Sequence, residues 1–198
     1  MRKILLSLTL FLLASTTCTA ANTVQVVMET NKGNITLELN PDKAPKTVAN
    51  FLQYVDEGFY VNTIFHRVVK MNEMKVIQGG GFDTNYQYKN TRPPIINEAD
   101  NGLKNERGTI AMARTLDEHS ATSQFYINVM SHSFLDHSAK TPRGWGYAVF
   151  GKVVAGMDIV EAIWAIPTIP AGPFPQDVPR DPVIITRVYR AAAQPAAN

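Results

Sequence analysis

Polar side chains interrupt two apolar stretches of the chain between Ile64 and Phe82, and they are the first candidates for chemistry. His66 and Arg67 break the first stretch, and Gln78 ends the second. Another glutamine, Gln124, stands in a third apolar run. An arginine and two glutamines within strand-forming sequence predict a shallow apolar surface that carries a few fixed hydrogen-bond donors. We therefore expect Arg67 to face a ligand.

The histidine beside Arg67 has a more ordinary explanation. Consecutive side chains of a strand point to opposite faces. In a continuous strand, His66 would share a face with Val68, and Arg67 would share the other face with Phe65 and Val69. One ligand would not easily meet both polar side chains, so a structural role is favoured for His66.

Other chemistries have weaker support in the sequence. Asp117, His119, Ser120 and Ser123 contain the residue types of a hydrolase triad, but they lie in one polar stretch without a G-x-S-x-G elbow. The four histidines lack metal-binding spacing, and we expect no metal or other cofactor. No Lys-Ser/Thr follows Gly79–Gly81, which favours tight backbone packing over phosphate binding.

The N-terminus has the composition of a secretory signal peptide. Two basic residues precede an apolar run, Ile4 to Ala14, and small residues follow it. This run of about 11 residues is shorter than the roughly 20 that a membrane-spanning helix needs. We expect a signal peptide over residues 1–20, with cleavage after Ala20 or Ala21, and therefore a periplasmic protein.

Cleavage would leave a balanced chain without cysteine. Cys18 is the only cysteine, and the lipoprotein signal that it could represent is disfavoured because Ser15-Thr16-Thr17 lacks the usual Leu-x-small pattern. The remainder has 17 basic and 17 acidic residues, which argues against nucleic acid as a partner. About 177 residues suit one domain. We expect a monomer without membrane contact after cleavage, comprising a domain over 22–190 and a flexible tail over 191–198.

The hydrophobic pattern predicts about eight strands and two helices. Val24–Thr30 and Asn34–Leu39 flank a short glycine turn and predict a hairpin. Lys46–Glu57 and Gly156–Ala165 carry the apolar stripes of amphipathic helices. Further strands are predicted near Ile64 and Val76 and over Ile95–Glu98, Thr109–Ala113, Ser123–Val129, Tyr147–Val154 and Val183–Tyr189.

Two segments are predicted to be irregular. Lys70 to Lys75 reads as a soft charged connector between two strands. Residues 167–182 contain six prolines and are predicted to form a loop that cannot join a central strand. Sequential strands with only two helices predict one all-β domain, either a barrel or a sandwich, and the helices suit a barrel whose ends they cover.

Five blocks of the sequence resemble the signatures of cyclophilins, which are peptidyl-prolyl cis–trans isomerases. In family order they are Phe65 to Val68, Gln78 to Gly80, Gly108 to Ala113, Ser123 to Ile127 and Val149 to Val153. The signal peptide and Gly146 to Gly151 are most similar to bacterial periplasmic cyclophilins. The resemblance implies a mostly β fold, a closed eight-stranded antiparallel barrel capped by two α-helices. It also implies isomerisation of X-Pro bonds in proline-containing, unfolded or partly folded exported proteins.

The resemblance further implies roles for individual residues. Arg67 would donate a hydrogen bond toward the prolyl nitrogen, and Gln78 would anchor the peptide backbone. Tyr126 and Leu135 would line an apolar proline pocket. The substrate-binding positions implied in this way are His66, Met74, Val76, Ala113, Arg114, Gln124, Tyr126, Phe134, Leu135 and Tyr147.

The sequence departs from the family pattern around the pocket. The usual Pro-Gly-Phe-Met is absent, and Lys70–Val76 is about three residues longer, so Met74 or Val76 must replace the pocket phenylalanine. Phe134 stands where tryptophan accompanies tight cyclosporin binding, which implies weak affinity for cyclosporin-like ligands. A catalytically weak, proline-binding chaperone or scaffold is the alternative function. Three further substitutions are Arg114 for Asn, Tyr126 for Phe and Tyr147 for His.

Overall fold

The computed structural model describes residues 22–192. The predicted signal peptide and residues 193–198 of the predicted tail lie outside this range. All nine strands of the main sheet pair antiparallel. They are β1 (Val24–Thr30), β2 (Gly33–Leu39), β3 (Thr63–Ile64), β4 (Arg67–Met71), β5 (Met74–Gly79), β6 (Thr109–Met112), β7 (Phe125–Asn128), β8 (Val149–Ala155) and β11 (Ile184–Arg190). Two further strands, β9 (Thr168–Ala171) and β10 (Phe174–Pro179), form a separate hairpin.

The sheet curls into a barrel that the chain itself completes. The strand order is β3-β11-β1-β2-β8-β6-β7-β5-β4. The two outermost strands, β3 and β4, are joined by only Phe65 and His66, so the two edges are tied by a two-residue link. The predicted cyclophilin-like barrel with two helices is confirmed, with nine strands in the main sheet instead of eight.

Two helices, α1 (Pro45–Asp56) and α2 (Met157–Ala165), accompany the barrel. Pro45 suits the first turn of α1 because an amide hydrogen there has no partner within the helix. Glu98 accepts hydrogen bonds from the next two amides, Lys46 N at 3.1 Å and Thr47 N at 2.8 Å. The predicted apolar stripe of α1 is buried in the barrel core, where full burial of Phe51 stabilises the fold by roughly 1.5–3 kcal/mol.

The inner faces of the strands near the candidate site supply the core. Val68, Ile77, Ile110 and Ile127 come from β4, β5, β6 and β7, and all are buried within the main cluster. Because side chains alternate along a strand, the residues between them must face the outside of the barrel. The core therefore fixes which side chains the outer surface displays.

Three sequence predictions need correction. The expected connector Lys70 to Lys75 is the end of a hairpin in which Met71 pairs with Met74 around a two-residue turn. Residues 168–179 form the β9–β10 hairpin, because prolines are tolerated where a strand has a free edge. Ile95–Glu98 makes only one isolated bridge, between Ile95 and Ala121.

Candidate active site

Strand register assembles the candidate site on the outside of the barrel. Arg67 of β4 lies opposite Gln78 of β5, which lies opposite Tyr126 of β7, which in turn lies opposite Ala111 of β6. Directly paired residues share a face of the sheet. Residues that are distant in the sequence therefore form one continuous row, and an arginine and a glutamine occupy one end of it.

An apolar cluster adjoins this row and is separate from the barrel core. Its buried members are Val69, Val76, Ala111, Tyr126, Leu135 and Val149, and Met74, Leu103, Ala113 and Tyr147 pack partly buried against it. Six of the predicted substrate-binding residues thus meet here: Met74, Val76, Ala113, Tyr126, Leu135 and Tyr147. The structure thus brings these six residues, which are distant in the sequence, into one apolar cluster.

Phe134 lies at the outer margin of the same region. It belongs to a short 3-10 helix, Ser133–Leu135, which buries Leu135 and leaves Phe134 60% exposed. A shallow depression joins Phe134 to the tip of the β4–β5 hairpin, where Met71 and Met74 lie. Phe134 is therefore an exposed aromatic side chain at the edge of the apolar cluster.

The two glutamines contact each other directly. Gln78 Nε2 donates to Gln124 Oε1 at 3.1 Å. Gly81 makes room for this pair, because a Cβ atom there would lie 2.5 Å from Gln124 Cγ. Gln124 also accepts a 3.0 Å hydrogen bond from the Ala113 amide through its main-chain oxygen. Tight packing around the glycines, as the sequence predicted, therefore serves the donor row.

Arg114 uses its side chain within the protein. Its guanidinium donates to the carbonyl oxygens of Gly146, Thr115 and Pro142 at 2.9, 2.9 and 3.2 Å. It also lies 4.8 Å from the ring centre of Tyr147. These contacts connect Arg114 with the loop that carries Tyr147, so the guanidinium group of Arg114 is engaged within the protein.

The hydroxyl of Tyr126 lies in a buried polar network. It donates to Asn105 Oδ1 at 2.7 Å, and Asn128 Nδ2 donates to the same oxygen at 3.3 Å. His132 joins this network by contacting Asn128 at 2.9 Å and by accepting a 2.9 Å hydrogen bond from the Lys75 amide. Burial raises the pKa of Tyr126 well above its usual value, with a smaller contribution from Tyr147. The ring of Tyr126 belongs to the apolar cluster, while its hydroxyl belongs to the polar network.

His66 lies beneath the surface. Its side chain is buried between Phe82 and Phe174, whose ring centres are 4.7 and 5.1 Å from the imidazole. Burial, followed by the charge of Arg67, lowers the pKa of His66 to about 4. The predicted substrate contact does not fit this covered position, whereas the structural role favoured by the sequence does.

A break in the strand explains why Phe65 does not share a face with Arg67, although the sequence had predicted that it would. Strand β3 ends at Ile64 and β4 begins at Arg67, so alternation does not continue through Phe65 and His66. Phe65 packs in the barrel core, while Arg67 faces outward.

Asp177 contacts Arg67, and the sequence did not predict this contact. Its Oδ2 atom lies 3.4 Å from Arg67 Nε, across 110 positions of the chain. Asp177 belongs to β10, within the segment predicted to be a loop. An acidic residue in a proline-rich stretch carries no pattern that indicates such a partner.

The hydrolase-like residues form no catalytic relay. Asp117 Oδ1 accepts a hydrogen bond from the His119 amide, and Ser120 Oγ donates to the main-chain oxygen of Asp117. The ring nitrogen of His119 accepts a hydrogen bond from the Asn97 amide. Asp117, His119 and Ser120 lie in an irregular polar segment as predicted, whereas Ser123 is fully buried. Across residues 22–192, no cluster of three metal-ligating side chains occurs, and no helix has the length and apolarity to span a membrane.

Sequence comparisons agree with this architecture. Residues 25–190 match the family described as cyclophilin type peptidyl-prolyl cis-trans isomerase/CLD. A peptidyl-prolyl cis-trans isomerase of Streptomyces antibioticus is 56% identical over 81% of this chain and 94% of its own length. Peptidyl-prolyl cis-trans isomerase B of Escherichia coli is 53% identical over 82% and 97%, respectively. Peptidyl-prolyl cis-trans isomerase A of Dickeya dadantii is 50% identical over 91% and 90%.

Solved structures give the same result. A cyclophilin type peptidyl-prolyl cis-trans isomerase of Cryptosporidium parvum matches with a TM-score of 0.67 and 26% identity, covering 87% of this chain and 99% of its own. A second structure of that protein, in the presence of the dipeptide Ala-Pro, matches with a TM-score of 0.66 and 27% identity.

The curled barrel, its outward donor row and the adjoining apolar cluster define an enzyme class that rotates peptide bonds preceding proline. The chain belongs to the cyclophilin-type peptidyl-prolyl cis–trans isomerase family, and it is an isomerase that acts on proline-containing peptides and proteins.

Proposed function

We propose that this isomerase accelerates the folding of exported proteins in the periplasm, with Arg67 as the catalytic donor and Gln78 as the substrate anchor. The observation that carries the proposal is the pairing of Arg67 with Gln78 in the row beside the apolar cluster. This arrangement combines hydrogen-bond donors with a surface for the proline ring.

The reaction needs no bond cleavage and no proton transfer. Rotation about a peptide bond crosses a barrier of about 18–20 kcal/mol because twisting removes amide resonance. In the twisted state the prolyl nitrogen becomes pyramidal and gains a lone pair that can accept a hydrogen bond. Arg67 is permanently charged and can donate to that lone pair. Because the lone pair is available only in the twisted state, the hydrogen bond lowers the barrier, by about 3–4 kcal/mol for one preorganised donor.

The apolar cluster would hold the proline ring and exclude water. Val76, Tyr126 and Leu135 are buried and form the pocket floor, while the partly exposed Met74 lies at its margin. Met74 and Val76 together replace the absent pocket phenylalanine. A dry surface beside the twisting bond limits competition between water and Arg67 for the prolyl nitrogen.

Gln78 would hold the substrate backbone. Its Nε2 group is committed to Gln124, and no partner of its Oε1 atom is found within residues 22–192. That oxygen is suited to accept a hydrogen bond from a substrate amide. Gln124, in this proposal, fixes the orientation of Gln78, and Ala113 and Arg114 present main-chain groups to the residue before proline.

The decisive experiment measures X-Pro isomerisation by exchange NMR for wild type, Arg67→Ala and Arg187→Ala. We expect Arg67→Ala to lower kcat/KM by about 100- to 1000-fold, the effect of removing one preorganised donor. Arg187 is exposed on β11, so Arg187→Ala controls for the loss of an arginine and should remain within twofold of wild type. Equal rates for Arg67→Ala and wild type would refute the role of Arg67.

The same experiment distinguishes an active isomerase from the alternative, a weakly catalytic proline-binding scaffold. The longer β4–β5 hairpin is the feature that favours this alternative, because it replaces the usual pocket segment. A mature protein that binds the peptide but leaves its rotation at the buffer rate would act as a scaffold under those conditions. Peptide titrations by NMR measure binding independently of rate.

The periplasmic location is supported by the composition of residues 1–20 and by the resemblance to periplasmic cyclophilins. We expect cell fractionation to recover the protein in the periplasm, with an N-terminus at Ala21 or Asn22. Recovery in the cytoplasm with Met1 retained would contradict the proposal. We further propose that the domain over 22–190 is monomeric, which light scattering tests.

A further inference from the structure

We propose that Asp177 is a positioning residue for Arg67, delivered to the active site by the β9–β10 hairpin. The inference rests on the proposed role of Arg67 as the donor to the prolyl nitrogen. It assigns to the proline-rich hairpin a part in the reaction: the hairpin forms a second wall of the site and orients the guanidinium group.

The contact uses the nitrogen of Arg67 that is least suited to reach a substrate. Asp177 Oδ2 lies 3.4 Å from Nε, and no other side-chain hydrogen bond of Arg67 occurs in the part of the chain that the structure describes. A guanidinium group is a rigid plane with five donors. A carboxylate at Nε therefore restrains that plane and leaves both terminal nitrogens, Nη1 and Nη2, for the twisting amide.

A bulge in β10 aims Asp177 at Arg67. Phe174 pairs with Ala171, and Val178 pairs with Ile169. Between these two pairs, β10 has two more residues than β9. Asp177 lies in the bulge with φ at +67°, a left-handed conformation that aspartate and asparagine tolerate better than most residues. Bulges near active sites commonly redirect a side chain.

Both ends of the bulge are anchored to the body of the protein. On one side, the ring of Phe174 stacks on His66 at 5.1 Å with an interplanar angle of 28°, and it meets Phe82 edge-on at 4.9 Å. On the other side, Val178 is buried. Asp177 is consequently presented from a fixed support instead of a free loop.

This arrangement explains the position of His66. A neutral, buried imidazole can stack against Phe174, whereas a charged one would need solvation. His66 therefore supports the hairpin from below while its neighbour Arg67 receives the hairpin's carboxylate. His66 thus contributes through its packing against Phe174, and Arg67 through its contact with Asp177.

The test compares Asp177→Gly, Asp177→Asn and the control Asp181→Gly. Glycine accepts the positive φ and removes the carboxylate, while asparagine keeps an oxygen acceptor at the same place. Asp181 is an exposed aspartate beyond the same hairpin, so its replacement controls for lost charge and added flexibility. We expect Asp177→Gly to lower kcat about fivefold with KM unchanged, because a misoriented donor loses transition-state stabilisation only. Asp177→Asn should restore activity to within about twofold of wild type, and Asp181→Gly should match wild type.

A double-mutant cycle separates this inference from the role of Arg67. In an Arg67→Ala background, Asp177→Gly should cause no further loss, because the group that it positions is gone. An inactive Arg67→Ala protein together with a fully active Asp177→Gly protein would overturn only the present inference. An equal loss in both backgrounds, a raised activity of Asp177→Gly, or a loss explained by a lowered Tm would also overturn it.

Discussion

The indole Nε1 of Trp164 donates a 2.8 Å hydrogen bond to the carbonyl oxygen of Val69, which ties the last turn of α2 to strand β4. Lys70 Nζ donates to the carbonyl oxygens of Ala165 and Ile166 at 3.2 and 2.8 Å and so caps the C-terminus of α2. Lys70 and Lys75 also lie 5.5 and 5.2 Å from the centre of the Trp164 ring system. The β4–β5 hairpin, where the sequence departs from the family pattern, is therefore packed against α2.

Replacement of Trp164 by phenylalanine should loosen this hairpin. The change leaves the Val69 oxygen without its donor, and we expect the free energy of unfolding to fall by about 1–2 kcal/mol. KM for an X-Pro peptide should rise about threefold, because Val69 belongs to the pocket cluster. Urea denaturation and exchange NMR measure the two effects. Trp145→Phe is the control, since no hydrogen bond of the Trp145 indole occurs within residues 22–192, and equal behaviour of both variants would contradict the prediction.

Tyr126→Phe should affect stability more than catalysis. The substitution removes the hydroxyl that donates to Asn105 Oδ1, but it keeps the aromatic ring that faces the pocket. Asn128 still donates to the same oxygen, so we expect a loss of about 1 kcal/mol in the free energy of unfolding. The value of kcat/KM should stay within about twofold of wild type, since the hydroxyl does not face the substrate. Tyr189→Phe on β11 is the matched control, and a large loss of kcat with normal stability would show that the hydroxyl acts in the reaction.

Stability should fall as the pH decreases from about 6.5 to about 4. The pKa of His66 is lowered from 6.5 to about 4 in the folded protein, so the unfolded chain binds more protons throughout this interval. The free energy of unfolding therefore rises with pH there, and His66 contributes about 3 kcal/mol that is present above pH 6.5 and lost by pH 4.

Urea denaturation between pH 4 and pH 8 tests this dependence, with His66→Phe as the variant. Phenylalanine keeps an aromatic ring against Phe82 and Phe174 but cannot titrate. The variant should show a shallower dependence, with a remainder from His132, whose pKa is also lowered by burial. An unchanged slope in His66→Phe would refute the assignment.

Cyclosporin affinity should increase when Phe134 is replaced by tryptophan. Phe134 is 60% exposed beside the pocket, so a larger indole can extend over a bound ligand. We expect Kd to fall about tenfold, which corresponds to about 1.4 kcal/mol. Isothermal titration calorimetry measures this change, and Phe134→Leu should weaken binding instead. Equal Kd values for wild type and the two variants would show that Phe134 does not contact the ligand.

Local periodicity accounts for the parts of the fold that the sequence predicted well. Strand β1 was predicted over Val24–Thr30 and is found there, and α1 begins and ends one residue earlier than predicted. Alternation and the helical stripe record burial on one face, so they are visible without knowledge of the neighbours. The resemblance to cyclophilins then indicated which residues of the outer face belong together.

The remaining features depend on contacts between distant residues. The sequence predicted an irregular connector over Lys70 to Lys75, because Trp164, which holds this hairpin in place, comes from α2 and is distant in the sequence. Prolines argued for a loop over 167–182, although a two-stranded hairpin leaves enough unpaired edge to accommodate them. The meeting of Asp177 with Arg67 follows from the path of that hairpin, and no spacing in the sequence records it.

The two-residue link between β3 and β4 also connects Arg67 with the pairing of β3 and β11. Arg67 follows this link directly, and β3 takes its place in the sheet by pairing with β11, the last strand. Pairings between distant strands form slowly because a long loop must close first. A chain that is cut before β11 therefore lacks the strand that pairs with β3, directly before Arg67. Removal of β11 should therefore lower activity through its effect on β3 and Arg67, although no residue of β11 belongs to the candidate site.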